Sequence, residues 1–199
     1  MNVLVILGHQ QAGSFNHAIA ATVVRVLKDN GHTVTFHDLY AEHFPAILPA
    51  EEVPQDNAFV DPVIQQHCEE LTAAEGIVIV HPNWWGMPPA ILKGWVDRVF
   101  RPGVAYEFSE GDLGGGVPTG LLTTRLALVL NTSNTEDERE QLVFGDPLEA
   151  LWVDCIFGFC GVPNVHRRNF SIIIDSTLEQ RQGWLREVEA LVNELFPVS

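Results

Sequence analysis

Positive charge is scarce in this chain: 11 Lys and Arg stand against 26 Asp and Glu, a net charge of −15. Nucleic acid and anionic membranes are bound through clustered Lys and Arg, so neither is expected as a partner. Cysteine is scarcer still. Cys68, Cys155 and Cys160 form neither an even disulfide framework nor a metal-like spacing. Cys155 and Cys160, set among Ile156, Phe157 and Phe159, read as core. No apolar run approaches the roughly 20 residues of a membrane helix. The apolar stretch 2–7 has no basic region before it and no small-residue cleavage site after it, which makes it a strand rather than a signal peptide. A reduced, cytoplasmic protein without membrane insertion is the expectation. The chain also lacks low-complexity tracts, repeats and linkers, and 199 residues suit a single domain over 1–199.

Several motifs are missing too. There is no Gly-Lys-Ser/Thr phosphate loop, no G-x-G-x-x-G and no G-x-S-x-G hydrolase elbow. The eight histidines are scattered, and His32, His37 and His43 share no helix face, so no metal site is expected. Acidic stretches such as Glu136-Asp137-Glu138 read as a solubilising surface.

What is present is an alternation of strand and helix. Short apolar runs at 3–7, 33–37, 76–80, 125–130 and 165–174 read as strands, several of them buried on both faces. Helical spacing marks 15–30, 63–73, 89–100, 147–159 and 178–195, with Asn30-Gly31 as a stop for the first. A long proline-bearing connection spans 38–62, and a glycine-rich excursion or hairpin spans about 103–124. The pattern predicts an α/β fold, an open five-stranded parallel sheet in the order 2-1-3-4-5 with helices on both faces. Such sheets bind ligands beyond the carboxyl ends of their strands. The segments after strands one, three and four, residues 8–16, 81–87 and 131–137, are therefore the candidate site.

Two of those segments carry chemistry. In Gly8-His9-Gln10-Gln11-Ala12-Gly13-Ser14-Phe15-Asn16, Ser14 can cap the following helix, whose N-terminus offers free N–H groups and the positive dipole end to an anion. Taken alone, Ser14 reads more readily as a plain cap than as a phosphate ligand. In His81-Pro82-Asn83-Trp84-Trp85-Gly86, two adjacent tryptophans at the end of a buried strand would wall in a flat ligand, unless they pack in the core or at an interface. A phosphate at one segment and a planar ring at the other describe a flavin nucleotide.

The motifs GHQQAGSFN, DLYAEHFPAILP, HPNWWGMPPAILKGWVDRVF, GVAYEF and FGDPLEALW resemble the flavodoxin-like NAD(P)H:quinone oxidoreductases. That family includes the DT-diaphorase type, modulators of drug activity and the ancillary oxidoreductases of potassium efflux systems. The resemblance implies a homodimer that binds FAD, with FMN the alternative, takes hydride from NADPH or NADH, and reduces a quinone or similar flat acceptor by a ping-pong cycle. It places His9, Ser14, Phe15 and Asn16 on the pyrophosphate and ribityl contacts. Pro82, Asn83, Trp84, Trp85 and Gly86 fall on the ring-lining turn, where backbone N–H groups would stabilise the reduced ring. Asn131, Thr132, Ser133 and Asn134 form the third wall, and Arg181 lies near the adenine end. Trp84, Trp85 and Phe108 would wall the substrate pocket, Phe108 across a dimer. The tyrosine and histidine of the DT-diaphorase branch are replaced by Glu138 and Phe144, so another proton source, such as solvent, is expected. A second reading is a flavin-binding regulatory subunit of a potassium efflux transporter. A third is a one-electron carrier.

Overall fold

A computed structural model describes residues 1–53, 61–109 and 116–198. Its centre is a parallel sheet in the order β2-β1-β3-β6-β7, which is the 2-1-3-4-5 order read from the sequence. The strands are β1 (Asn2–Leu7), β2 (Thr33–Asp38), β3 (Gly76–Pro82), β6 (Leu126–Thr132) and β7 (Val165–Phe170). β3 and β6 are buried along their whole length, as continuous apolar runs require when helices cover both faces. In the paired register Val5 lies between Phe36 and Val78.

Each face has its own core. Helices α1 (Phe15–Asp29) and α6 (Leu178–Leu195) cover one, where Val5, Ile19, Val23, Val78, Val188 and Val192 pack. Ser14 caps α1, and a reciprocal Thr177–Gln180 capping box opens α6. The other face is covered by α2 (Pro62–Ala73), α3 (Ala90–Val99) and the segment from 147 to 158, around Leu4, Ile79, Trp95, Trp152 and Phe157. The long connection after β2 is pinned to α3 by a buried pair in which Arg98 Nε donates to Glu52 at 3.0 Å. Residues 54–60 lie outside the described part.

The structure departs from the sequence expectations in four places and meets them at the excursion. An unexpected helix, α4 (Asp137–Phe144), follows β6 and ends at Gly145 in the left-handed region. The expected helix 147–159 is one α-turn, α5 (Pro147–Glu149), continued as a π-helix over Ala150–Gly158. The last strand stops at Phe170 rather than 174. Cys155 is exposed, while Cys68 and Cys160 are buried. The excursion holds a two-residue antiparallel pair, β4 (Tyr106–Glu107) with β5 (Thr119–Gly120), and its residues 110–115 lie outside the described part. Among the described residues no helix is long and apolar enough to cross a membrane.

Candidate functional site

Loops leaving β1, β3 and β6 open onto the same edge of the sheet and, with α4, line a cleft of about 940 Å³. The cleft brings together His9, Ser14, Phe15, Asn16, Pro82, Asn83, Trp84, Trp85, Gly86, Thr132, Ser133 and Asn134. At the α1 end, Gly13 takes φ +74° in open space, a conformation that suits glycine. Asn16 is buried. Its Nδ2 donates to Thr132 Oγ1 at 2.8 Å, while its Oδ1 has no partner among the described residues. His9 also lines the cleft; burial lowers its pKa, and its Nδ1 accepts the Gln11 N–H at 3.1 Å.

The tryptophan turn is tighter than its sequence conveys. Asn83 N–H donates to Thr132 O at 2.7 Å, and Trp84 and Met87 exchange backbone bonds of 2.9 and 3.0 Å. Gly86 N–H donates to the Asn83 side chain at 2.9 Å. Only the Trp85 N–H is left over within this turn, rather than several amides. Trp85 sits in the left-handed region at φ +58° and is 98% exposed. Gly86 follows at φ +72°, and a Cβ there would lie 2.9 Å from Pro147 Cγ.

Beneath the turn lies a hydrogen-bonded floor. The fully buried His81 receives Trp152 Nε1–H at 2.9 Å and Asn131 Nδ2–H at 2.8 Å on Nε2, and its Nδ1 contacts Pro82 O at 2.8 Å. Two donors on Nε2 place the ring hydrogen on Nδ1 and leave the ring neutral. Burial pushes its pKa down to about 4. Asn131 Oδ1 in turn receives Arg167 Nη1–H at 3.3 Å, and Arg167 is paired with Asp146 and Glu149. Asn131 is therefore not a cleft residue: it lies under the floor with both ends of its amide engaged.

Phe108 is also away from the cleft. It packs edge-on against Tyr106 and Phe159 beside the small hairpin. Arg181 does reach the cleft, steadied by bonds to Ser176 Oγ at 2.7 Å and Ile173 O at 3.2 Å. Sequence reasoning missed Arg139 and Glu140 as cleft residues; α4 brings them to the same wall as Phe144, which stands where the resemblance places a histidine. Their stretch has no apolar stripe, so periodicity gave no signal.

Histidines far apart in sequence do meet elsewhere. Ligand atoms of His37, His67 and Glu70 lie within 4.8 Å of one another. The histidine spacing examined in the sequence could not reveal this, because β2 and α2 supply the residues separately. The local bonding favours protons over a metal. Trp95 Nε1–H donates to His67 Nδ1 at 3.1 Å, which leaves the hydrogen of the neutral ring on Nε2. Both His37 nitrogens already face carboxylates, Glu42 at 2.9 Å and Glu70 at 2.6 Å.

A helix N-terminus, an orphaned Asn16 acceptor beside it that calls for a hydroxyl or N–H, and a spare N–H in an aromatic turn suit a ligand with a phosphate at one end, donor groups next to it and a flat, hydrogen-bonding ring at the other. A cleft at the switch in strand order is where open, doubly wound α/β sheets bind their ligands, and this fold is of that class. The chain belongs to the flavodoxin-like fold family, whose model matches residues 1–190. It is 32% identical over 176 residues to an uncharacterized NAD(P)H oxidoreductase of Haemophilus influenzae, covering 87% of this chain and 85% of the relative. It is 27% identical to NAD(P)H dehydrogenase [quinone] 1 of Rattus norvegicus, covering 96% and 77%. Among solved structures it superposes on the NAD(P)H:quinone oxidoreductase of Methanothermobacter marburgensis with a TM-score of 0.86 at 24% identity, covering 98% of each chain. An FMN-dependent NADH-azoreductase of Bacillus anthracis, solved in complex with FMN, shares the fold at a TM-score of 0.78 and 16% identity, again covering 98% of each chain.

Proposed function

We propose that this protein is a flavin-dependent NAD(P)H oxidoreductase that reduces a quinone or a similar flat acceptor. The observation that carries the reading is the meeting of the α1 N-terminus, with its orphaned Asn16 Oδ1, and the Trp84–Trp85 turn in one cleft of about 940 Å³. The α1 end would hold the phosphate through Ser14 and the free N–H groups of the first helical turn. Trp84 and Trp85 would flank the ring, and the Trp85 N–H would meet an acceptor on its edge. Bound flavin would supply the redox chemistry, accepting hydride from NAD(P)H and returning it to the acceptor in two half-reactions. A single pocket then obliges donor and acceptor to alternate, which is the ping-pong order.

The cleft continues past Ile173 to Arg181, which gives a second phosphate or an adenine a cation to meet. FAD is therefore the proposed form and FMN the alternative. Asn83, Thr132 and Ser133 would orient the ring, and the proton needed by the acceptor would come from solvent. Phe108 can take part only from a second copy, so this role requires a homodimer. The exposure of Trp85, Met87, Leu142, Val143 and Phe144 is in keeping with a covered surface. Mass spectrometry of the chromophore released from purified protein, combined with NADH and NADPH oxidation in the presence of a quinone, tests the reading. A colourless protein that fails to bind added FAD or FMN overturns it.

A further inference from the structure

Behind the phosphate end of the cleft lies a chain of three side chains, of which the proposed function uses only Ser14. Ser14 Oγ is 2.8 Å from His17 Nδ1, and His17 Nε2 is 3.1 Å from Asp38 Oδ2. The other Asp38 oxygen accepts the backbone N–H groups of Tyr40 at 3.2 Å and Ala41 at 3.1 Å, which fixes the carboxylate. These residues come from two elements, the start of α1 and the end of β2. Of the three, only Ser14 lines the cleft.

The hydrogens in this chain can be assigned. A carboxylate only accepts, so His17 Nε2 carries a hydrogen. In the neutral ring Nδ1 is then bare, and it accepts the hydroxyl hydrogen of Ser14. Ser14 Oγ meanwhile accepts the His17 backbone N–H at 3.4 Å. In this state the hydroxyl turns its hydrogen away from the cleft and presents a lone pair to any anion there. A protonated ring reverses the arrangement. Nδ1–H donates to Ser14 Oγ, and the hydroxyl hydrogen is free to turn toward the cleft.

We propose that His17 links phosphate binding in the cleft to the uptake of one proton from solvent. It acts as a positioning residue: it sets the direction of the Ser14 hydroxyl and places a positive charge behind the α1 N-terminus when the anion arrives. Independent of this chain, the buried Asn16 Oδ1 at the same helix end lacks a donor, so a ligand there would bring a hydroxyl or N–H close to its phosphate. The charged and titratable groups facing His17 are Asp38 from β2 and His9 from the loop after β1. The His9 ring lies edge-on to that of His17 with centroids 6.0 Å apart.

The inference rests on the flavin reading, and its test separates the two. FAD and riboflavin, which share the ring but differ in phosphate, are titrated calorimetrically from pH 6 to 8 in buffers of different ionisation enthalpy. FMN is run alongside at pH 7 and above, where its phosphate, with a second pKa of about 6, is mostly dianionic. The expected result is a phosphate-dependent affinity that falls by up to about tenfold per pH unit as pH rises, with uptake of up to one proton. Riboflavin affinity stays flat. In His17→Phe both the pH dependence and the proton uptake of FAD binding are lost. In the wild type, the ¹⁵N signals of the His17 ring move to the imidazolium position on adding FAD but not riboflavin, a readout that does not depend on the variant folding. FAD or FMN binding without proton uptake, or an equal pH dependence for riboflavin, overturns the inference and leaves the flavin reading standing. Failure of every flavin to bind at any pH overturns both.

Discussion

Trp85 and His81 are four residues apart, and their environments are opposite. Trp85 holds a left-handed backbone conformation while its ring lies almost wholly in solvent. Truncating it removes nothing from the core. Trp85→Ala should leave urea stability within about 0.5 kcal/mol of wild type. Flavin affinity should fall about tenfold, on the order of 1 kcal/mol for a lost aromatic contact, as read by fluorescence titration. An unchanged affinity would remove Trp85 from the ring site. His81 is the buried acceptor for two donors, and His81→Leu leaves Trp152 and Asn131 with unsatisfied N–H groups. That substitution should cost roughly 2–4 kcal/mol, measured as a lower urea midpoint at constant slope. Much of the cleft was legible at this scale. Ser14 announces itself by its place before an amphipathic helix, and the tryptophans by their cost of exposure after a buried strand. His17 and Asp38 were not legible, because their contact is made across 21 residues by the packing of α1 beside β2. Asn131 was misread for a related reason. Position on a strand end indicates nearness to the cleft, but not whether the side chain faces into it or down to the floor.

At the level of elements, the five strands stood out because parallel strands covered on both faces must be apolar at nearly every position. Helix α4 was hidden because it is held by other means: acidic residues in its first turn favour the dipole, and a left-handed glycine closes it. The run Glu136-Asp137-Glu138, which reads as mere solubilising surface, is the entrance to a wall of the site. The π-helix was equally hidden, since an apolar run records burial without recording how many residues make a turn. Close approach between elements is most severe at α3. A Cβ on Gly94 would fall 2.1 Å from the Ala46 carbonyl oxygen, so α3 meets the connection after β2 backbone to backbone. Gly94→Ala should destabilise by at least about 3 kcal/mol, lowering the melting temperature by roughly 10 °C. A melting temperature within 2 or 3 °C of wild type, taking about that much per kcal/mol, would mean that the connection is free to withdraw.

Across the whole molecule, acid should act through two histidines kept neutral by the fold. Burial lowers both His67 and His81 from 6.5 to about 4. Between those values the unfolded chain binds more protons than the folded one, so stability falls as pH is lowered from about 6.5 to 4 and is fully present above 6.5. Each histidine contributes up to about 3 kcal/mol to that loss. Urea titrations at half-unit intervals should show the slope, and His67→Gln should flatten part of it. An acid limb beginning only below pH 4 would show that neither ring is held neutral. The contact between Gly86 and Pro147 also bears on how the molecule can be rebuilt. Because the tryptophan turn and the start of α5 are fitted with no room for a methyl group, neither can be exchanged alone. A chimera that grafts residues 81–87 from a relative should need residues 144–149 from the same donor, so these two stretches form one transplantable unit.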